Sequence, residues 1–178
     1  GKSTLVNALV GSKVSITSSR PQTTRNRIRG VITLPSEGEP EYQIVLVDTP
    51  GLHKPRTQLG ERLNSLVYGT LTESDAVLFL VDATQEVGPG DRRIAQRVAS
   101  TGTPVLLVVN KTDAATEAQV LERLAQSAAW DFDVYAPVSA LRGEGLDVLT
   151  RAITDRLPEG PLYFPPDATT DQPEQLLA

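Results

Sequence analysis

Residues 105–113 read VLLVVNKTD, a run of aliphatic side chains that ends in polar residues. An uninterrupted Val/Leu run is typical of a parallel strand whose two faces are both covered. Similar runs at 76–81 and 134–138 predict two more such strands, and 28–34 and 42–47 predict another two. The polar end of the 105–113 run falls at the carboxyl edge of the predicted sheet, where open α/β proteins bind their ligands.

Helical patterns lie between the strands. Apolar residues recur at a spacing of three and four in 3–10, 59–67, 94–98, 120–124 and 146–153. The alternation of strand and helix predicts an α/β protein with a mostly parallel sheet and helices on both of its faces. The loop Glu37-Gly38-Glu39-Pro40 predicts that the two strands flanking it pair as an antiparallel hairpin.

The composition narrows the functional classes. The chain has 178 residues, 39% hydrophobic and 22% charged, as expected for one globular domain. A net charge of -5 argues against a nucleic-acid-binding surface in this segment, and the arginines between Arg20 and Arg29 are interpreted as a solvated loop and strand. The absence of cysteine and the single histidine, His53, exclude thiolate and multi-histidine metal sites. No apolar run approaches the ~20 residues that span a bilayer, so a cytoplasmic location is expected.

The first four residues, GKST, match the second half of the phosphate-binding loop pattern G-x-x-x-x-G-K-[ST]. An apolar helix follows at once, and the N–H groups at a helix start hold phosphates. Gly1 to Thr4 are therefore predicted to bind nucleotide, with Lys2 reaching the β- and γ-phosphates and the Ser3 hydroxyl binding Mg²⁺. Taken alone, the tetrapeptide equally fits a helix start capped by Ser3 or Thr4.

A second motif, Asp48-Thr49-Pro50-Gly51, follows the 42–47 strand. Asp48 at the carboxyl end of a buried strand fits a carboxylate that holds Mg²⁺ through water, and the Gly51 N–H would meet the γ-phosphate. The alternative is an ordinary D-x-P-G turn after a strand, which is common in proteins.

The motif Asn110-Lys111-Thr112-Asp113 is more specific. The Asp113 carboxylate can accept hydrogen bonds from guanine N1–H and the 2-amino group, which adenine lacks, so it would select GTP over ATP. Asn110 would contact the purine N7 side and tie loops together, while the Lys111 stem would cover one face of the base. The alternative is a polar turn that caps the next helix.

Two weaker elements complete the set. Ser139-Ala140 follows the last strand, and the Ala140 N–H is expected to reach guanine O6. A hydroxyl within Gln22-Thr23-Thr24-Arg25 is expected to complete the Mg²⁺ shell when a γ-phosphate is present and to be released after hydrolysis.

In this order the motifs resemble those of the bacterial Era family of translation-factor-type GTPases. The resemblance extends to Asp48–His53 (DTPGLH), to Val81-Asp82-Ala83, and to the Pro-rich tail at 157–165. It implies a P-loop NTPase fold of the Ras-like G-domain type. Residues 1–157 would form this GTPase domain, without its first strand and half of its phosphate loop, and 158–178 would link it to a C-terminal KH domain.

The resemblance also implies a GTP-hydrolysing switch that acts in 30S ribosomal subunit assembly and 16S rRNA maturation. The RNA would be bound through the KH domain, and the protein would associate peripherally with the inner face of the cell membrane. The implied ligands are GTP or GDP and Mg²⁺, with a monovalent cation as a further candidate, and a monomer is expected. Lys2, Thr24 and Gly51 would carry the catalytic roles, and Ser3, Thr24 and Asp48 would hold the metal.

Leu52 occupies the position at which Ras-like enzymes carry the glutamine that orients the attacking water. Hydrolysis is therefore expected to be slow, or the water to be placed by another group. His53 is a less fitting base, because phosphoryl transfer depends on positioning and electrostatics. Two alternatives stay open: a scaffold that does not hold nucleotide, and a tRNA-modification GTPase, which would carry P-G-T-T-R-D where this chain has Pro21-Gln22-Thr23-Thr24-Arg25-Asn26.

Overall fold

The structure is a computed structural model, and it describes residues 1–11, 27–34, 40–48 and 68–165. The chain forms two compact units, which are described separately. The first contains Gly1–Lys2 and Pro50–Pro158, and the second contains Ser3–Thr49 and Glu159–Ala178.

The first unit is built on a three-stranded parallel sheet in the order β3-β4-β5. Strand β3 spans Val77–Asp82, β4 spans Val105–Asn110 and β5 spans Val134–Val138. Every residue of β4 is buried, as expected for a central strand that is covered on both faces. The three predicted strands of this unit are therefore confirmed to within one residue at each end.

Three complete α-helices of the first unit lie within its described residues: α2 (Pro89–Ala99), α3 (Glu117–Ser127) and α4 (Leu146–Thr154). Residues 68–72 are also helical, and the helix predicted at 59–67 lies outside the described residues. The starts of α2 and α3 each have a cause in the local sequence. Pro89 begins α2 where its missing N–H costs nothing, and the Asp91 carboxylate accepts the Gly88 N–H at 2.9 Å. The Thr116 hydroxyl caps α3 by accepting the Gln119 N–H at 3.2 Å, and the Gln119 side-chain Oε1 accepts the Thr116 N–H at 2.8 Å.

An aromatic cluster fills one end of the core beside the sheet. Phe79 on β3 meets Trp130 edge-on at a ring-centroid distance of 5.5 Å, and Phe132 lies 5.6 Å from both rings. Leu107 and Val109 of β4 are fully buried in the same core. Burying aromatic and aliphatic surface of this kind is the main stabilising contribution to such a unit.

The second unit contains α1 (Lys2–Val10, whose first residue belongs to the first unit), β1 (Arg27–Leu34) and β2 (Tyr42–Asp48). Strands β1 and β2 pair antiparallel, which confirms the predicted hairpin, and the register shifts between Ile28 and Gly30. Helix α1 ends at Gly11, whose φ of 88° is the left-handed conformation that stops helices.

Within the second unit, the Pro-rich segment that follows residue 158 contacts Gln43 on β2. The Gln43 Oε1 accepts the N–H groups of Tyr163 and Phe164 at 3.1 and 3.0 Å, and its Nε2 donates to the Phe164 carbonyl at 3.0 Å. One side-chain amide thus binds the backbone of a chain segment that the sequence predicts only as an extended linker.

Within the described ranges, no helix is long and apolar enough to cross a membrane.

Candidate functional site

The carboxyl ends of the three parallel strands bring polar residues to one edge of the sheet. Asp82 ends β3 and pairs in register with Asn110, which ends β4, and Asn110 pairs with Val138 at the end of β5. Ser139 follows directly. This edge therefore holds the residues that the sequence predicts for base recognition.

Asn110 is buried and ties two loops together. Its Oδ1 accepts the N–H of Lys111 at 2.7 Å and the N–H of Ala140 at 3.1 Å. Because both partners are donors, the carbonyl oxygen of the amide must face them, and the NH₂ group points away from them. An NH₂ donor in that position complements a purine N7, which is an acceptor.

Ala140 is buried, and its N–H donates to Asn110 Oδ1 at 3.1 Å in the structure. The predicted contact of this N–H with guanine O6 stays a prediction. A buried amide needs a partner, and the Asn110 side chain supplies one within the protein. Ala140 therefore acts here as a tie between the two loops.

Asp113 lies in the short 3₁₀ helix Thr112–Ala114, and its carboxylate is held by Ser139. The Ser139 hydroxyl, which is fully buried, donates to Asp113 Oδ1 at 2.6 Å and accepts the Arg142 N–H at 3.1 Å. Since the Arg142 amide occupies the hydroxyl oxygen, the hydroxyl proton is directed at the carboxylate. Asp113 is thus oriented in the protein itself, with acceptor capacity left on its second oxygen.

The loop that carries Ser139 is closed on itself. The Ser139 N–H donates to the Glu144 carbonyl at 3.0 Å, and the Gly143 N–H donates to the Ser139 carbonyl at 2.8 Å. Gly145, the N-cap of α4, has a φ of 75°, and a Cβ there would lie 2.6 Å from the Pro137 carbonyl oxygen. Only glycine fits this position, so the tight return of the chain into α4 fixes the loop.

Lys111 and Asp82 form the charged part of this edge. The Lys111 Nζ donates to Asp82 Oδ2 at 2.5 Å, while the Thr84 N–H and hydroxyl donate to Asp82 Oδ1 at 3.0 and 2.7 Å. Burial raises the pKa of Asp82, but the hydrogen bonds from Lys111 and Thr84, together with the Lys111 charge, outweigh it and lower that pKa below its ordinary 3.8.

Asp82 is absent from the site residues that the sequence predicts. The signal was available, because Asp82 ends a largely apolar strand in the same way as Asp48, for which a metal role was predicted. What the sequence lacked was the register that brings Asp82 beside Asn110 and hence within reach of Lys111.

The residues predicted to bind phosphate and metal are described only in part. Helix α1 begins at Lys2, as a phosphate loop requires, with Ser3 and Thr4 exposed in its first turn and Leu5 buried. Asp48 is the last residue of β2. Thr24, Thr49, Pro50 and Gly51, as well as Leu52 and His53, lie outside the described residues. In the ranges that are described, no cluster of three or more histidine or acidic side chains could hold a metal ion.

Comparison with known proteins places this geometry in a family. The sequence model of the family described as 50S ribosome-binding GTPase matches residues 1–111. The chain belongs to this family. Its relatives include the GTPase Era of Ruminiclostridium cellulolyticum, 44% identical over all of this chain, and that of Mycolicibacterium smegmatis, 46% identical over 99% of it.

Solved structures agree with the family assignment. A point variant of the Aquifex aeolicus Era, bound to GDP·AlF₄⁻, superimposes with a TM-score of 0.78 at 38% identity, over 97% of this chain. An Era in complex with MgGDPNP and nucleotides 1506–1542 of 16S ribosomal RNA gives the same TM-score and identity. The chain spans 58% of the length of the Ruminiclostridium relative and of both solved Era chains. The P-loop GTPase fold is thereby confirmed.

Proposed function

We propose that this chain is the nucleotide-binding part of a GTP-hydrolysing switch of the Era type. The observation that carries the proposal is the network at the carboxyl edge of the parallel sheet. There Ser139 orients the Asp113 carboxylate at 2.6 Å, and Asn110 joins its own loop to that of Ala140 at 3.1 Å.

The network is suited to guanine. A carboxylate accepts hydrogen bonds and donates none, so Asp113 matches the N1–H and 2-amino donors of guanine. Adenine presents an unprotonated N1 at that edge, which a carboxylate repels. A site built to hydrogen-bond a donor discriminates strongly against an analogue that lacks it, because the buried polar group of the site then stays unpaired.

Hydrolysis would be carried by the phosphate-binding residues. Lys2 and the amides at the start of α1 are proposed to neutralise the β- and γ-phosphates, and Gly51 to donate its N–H to the γ-phosphate. Ser3, Thr24 and Asp48 are all oxygen donors, the type that Mg²⁺ prefers, so the donor set fits this ion. With Leu52 at the water-orienting position, the unassisted rate is proposed to be slow.

The biological setting is inferred from the relatives. Because a solved Era, 38% identical, holds a segment of 16S ribosomal RNA, we infer that the complete gene product acts on the 30S subunit during its assembly. The net charge of -5 supports RNA contact outside this segment, through the KH domain expected after residue 178. A cytoplasmic location with peripheral membrane association and a monomeric state complete the proposal and rest on the sequence and on the family resemblance.

Base selection is tested by a displacement series. Fluorescent GDP bound to the complete gene product is displaced with GTP, inosine triphosphate and ATP. Inosine keeps N1–H and lacks the 2-amino group, so it should bind about 10–100-fold more weakly than GTP, and ATP at least about 10³-fold more weakly. The Asp133→Asn variant is the control, since Asp133 accepts the Val105 N–H at the opposite edge of the sheet. Equal displacement by GTP and ATP would refute guanine selection, and the absence of any nucleotide binding would favour the scaffold alternative.

A further inference from the structure

The Lys111 backbone adopts a conformation that L-residues avoid. Its φ of 69° and ψ of 37° are left-handed, and it is one of two non-glycine residues with positive φ in the described part of the chain. Such a conformation persists only where surrounding contacts hold it. The Asn110 side chain holds the Lys111 N–H at 2.7 Å, and Asp82 holds the other end of the residue through Nζ.

The Asp82 carboxylate is also held in position by contacts other than the one to Lys111. Two donors of Thr84 saturate Oδ1, which leaves Oδ2 for Lys111. The Ala83 N–H donates to the Asn110 carbonyl at 2.8 Å, so the backbone ladder between β3 and β4 continues past Asp82. The carboxylate therefore has a set position relative to the strand end from which Lys111 starts.

Stability accounts for only a small part of this arrangement. The side chains of Lys111 and Asp82 are 46% and 27% exposed, and ion pairs at this exposure contribute little to folding. The pair does restrict a long, flexible side chain that stays 46% exposed. Holding a flexible side chain in its bound geometry before the ligand arrives reduces the entropy lost on binding.

We infer that Asp82 is a positioning residue for nucleotide binding: seated by Thr84, it holds the Lys111 stem in the place where that stem covers the base. The inference rests on the proposed function and deepens it. In this role Asp82 acts on the nucleotide only through Lys111.

A double-mutant cycle tests the inference. The dissociation rate of fluorescent GDP is measured in the complete gene product and in its Asp82→Asn, Lys111→Met and doubly substituted variants, where methionine keeps an unbranched stem without the charge. Asp82→Asn should accelerate dissociation about three- to tenfold in the parent protein and less than about twofold in the Lys111→Met background. Asp82→Glu should restore part of the loss, and Asp133→Asn should leave the rate unchanged.

Equal acceleration in both backgrounds, or none in either, would overturn the positioning role. A second measurement does not depend on nucleotide binding: ¹³C relaxation of the Lys111 ε-carbon in the nucleotide-free protein. The ε-carbon should become markedly more mobile in Asp82→Asn, and unchanged mobility would overturn the inference whether or not the protein binds GTP. Failure of GTP binding in the parent protein would instead count against the proposed function.

Discussion

The residues proposed to recognise the base and those proposed to bind phosphate are groups of different kinds. The base-side residues (Asn110, Lys111, Asp113, Ser139 and Ala140) hold one another through hydrogen bonds that involve their side chains, and these exist without a ligand. Of the proposed phosphate-side residues, Lys2, Ser3 and Thr4 form the start of α1 and Gly1 precedes it; backbone N–H groups and the helix dipole favour an anion there. On the base side, the donor and acceptor pattern is therefore set by side chains. On the proposed phosphate side, backbone amides and a lysine recognise negative charge and do not distinguish one base from another.

The difference predicts two separable kinds of defect. Substitution of a base-side residue should change which nucleotide binds, because the donor and acceptor pattern changes. Substitution of a phosphate-side residue should change how tightly every nucleoside triphosphate binds and leave the ratio between bases intact, since all of them carry the same phosphates.

On the phosphate side, the largest effect is expected for Lys2→Ala. Loss of the ammonium group removes a charge-assisted contact to the phosphates, so GTP and GDP should bind about 100-fold more weakly. Competition assays with GTP and inosine triphosphate should nevertheless give the same ratio as in the parent protein. A change in that ratio would contradict the separation of the two sides.

Ser139→Ala should act on the base side. Without the hydroxyl, Asp113 loses its orienting donor and the Arg142 N–H loses its acceptor, so GTP should bind about tenfold more weakly by calorimetry. Ser127→Ala is the matched control: Ser127 is equally buried, but its hydroxyl has no hydrogen-bond partner in the structure. If both variants bind GTP like the parent protein, Ser139 does not orient Asp113.

Gly145→Ala should test the loop beneath the base-side residues. The new Cβ would meet the Pro137 carbonyl oxygen at 2.6 Å and would also force a left-handed alanine, a conformation that costs about 1–2 kcal/mol. Overpacking adds about 1–3 kcal/mol to the loss of unfolding free energy.

Gly143→Ala separates the two causes. Its φ is 76°, but nothing lies within 4 Å of the added Cβ, so only the conformational cost applies. Urea unfolding of both variants gives the comparison. An equal loss for the two would show that contact with Pro137 does not fix the loop.

The smallest effect concerns acid stability. Because the pKa of Asp82 is lowered in the folded protein, its ionised form stabilises the fold at pH values above the ordinary 3.8, and this contribution disappears as pH falls through the lowered pKa. The difference in unfolding free energy between the parent protein and Asp82→Asn should therefore shrink as the solution is acidified below about pH 4. A difference that stays constant across that range would show that ionised Asp82 does not stabilise the fold.

The parallel strands could be predicted from the sequence because a buried strand has a one-dimensional signature. The run of β4 needs no partner to be recognised, and the position of the Asn110–Asp113 motif after it follows from the general rule for parallel sheets. Contacts across the sheet have no such signature. The pairing of Asp82 with Lys111 depends on strand register, and the use of the Ala140 N–H depends on how closely two loops approach.

The contacts of the segment after α4 also could not be predicted from the sequence. Its prolines predict an extended chain, and residues 158–165 contain neither helix nor strand. Nothing in their order indicates that Gln43, 121 residues from Phe164, binds its backbone. A contact that depends on one side-chain amide leaves no periodic pattern in the sequence.

The most direct measurement of the central claim is the nucleotide preference of Asp113→Asn. Asparagine replaces one acceptor oxygen by an NH₂ donor, and xanthine presents a 2-oxo acceptor where guanine presents its 2-amino donor. Calorimetric titration of the complete gene product should show GTP binding weakened by about 100-fold and xanthosine triphosphate bound more tightly than GTP. A variant that keeps the parent preference for GTP would contradict the assignment of Asp113, and with it the account of the base side.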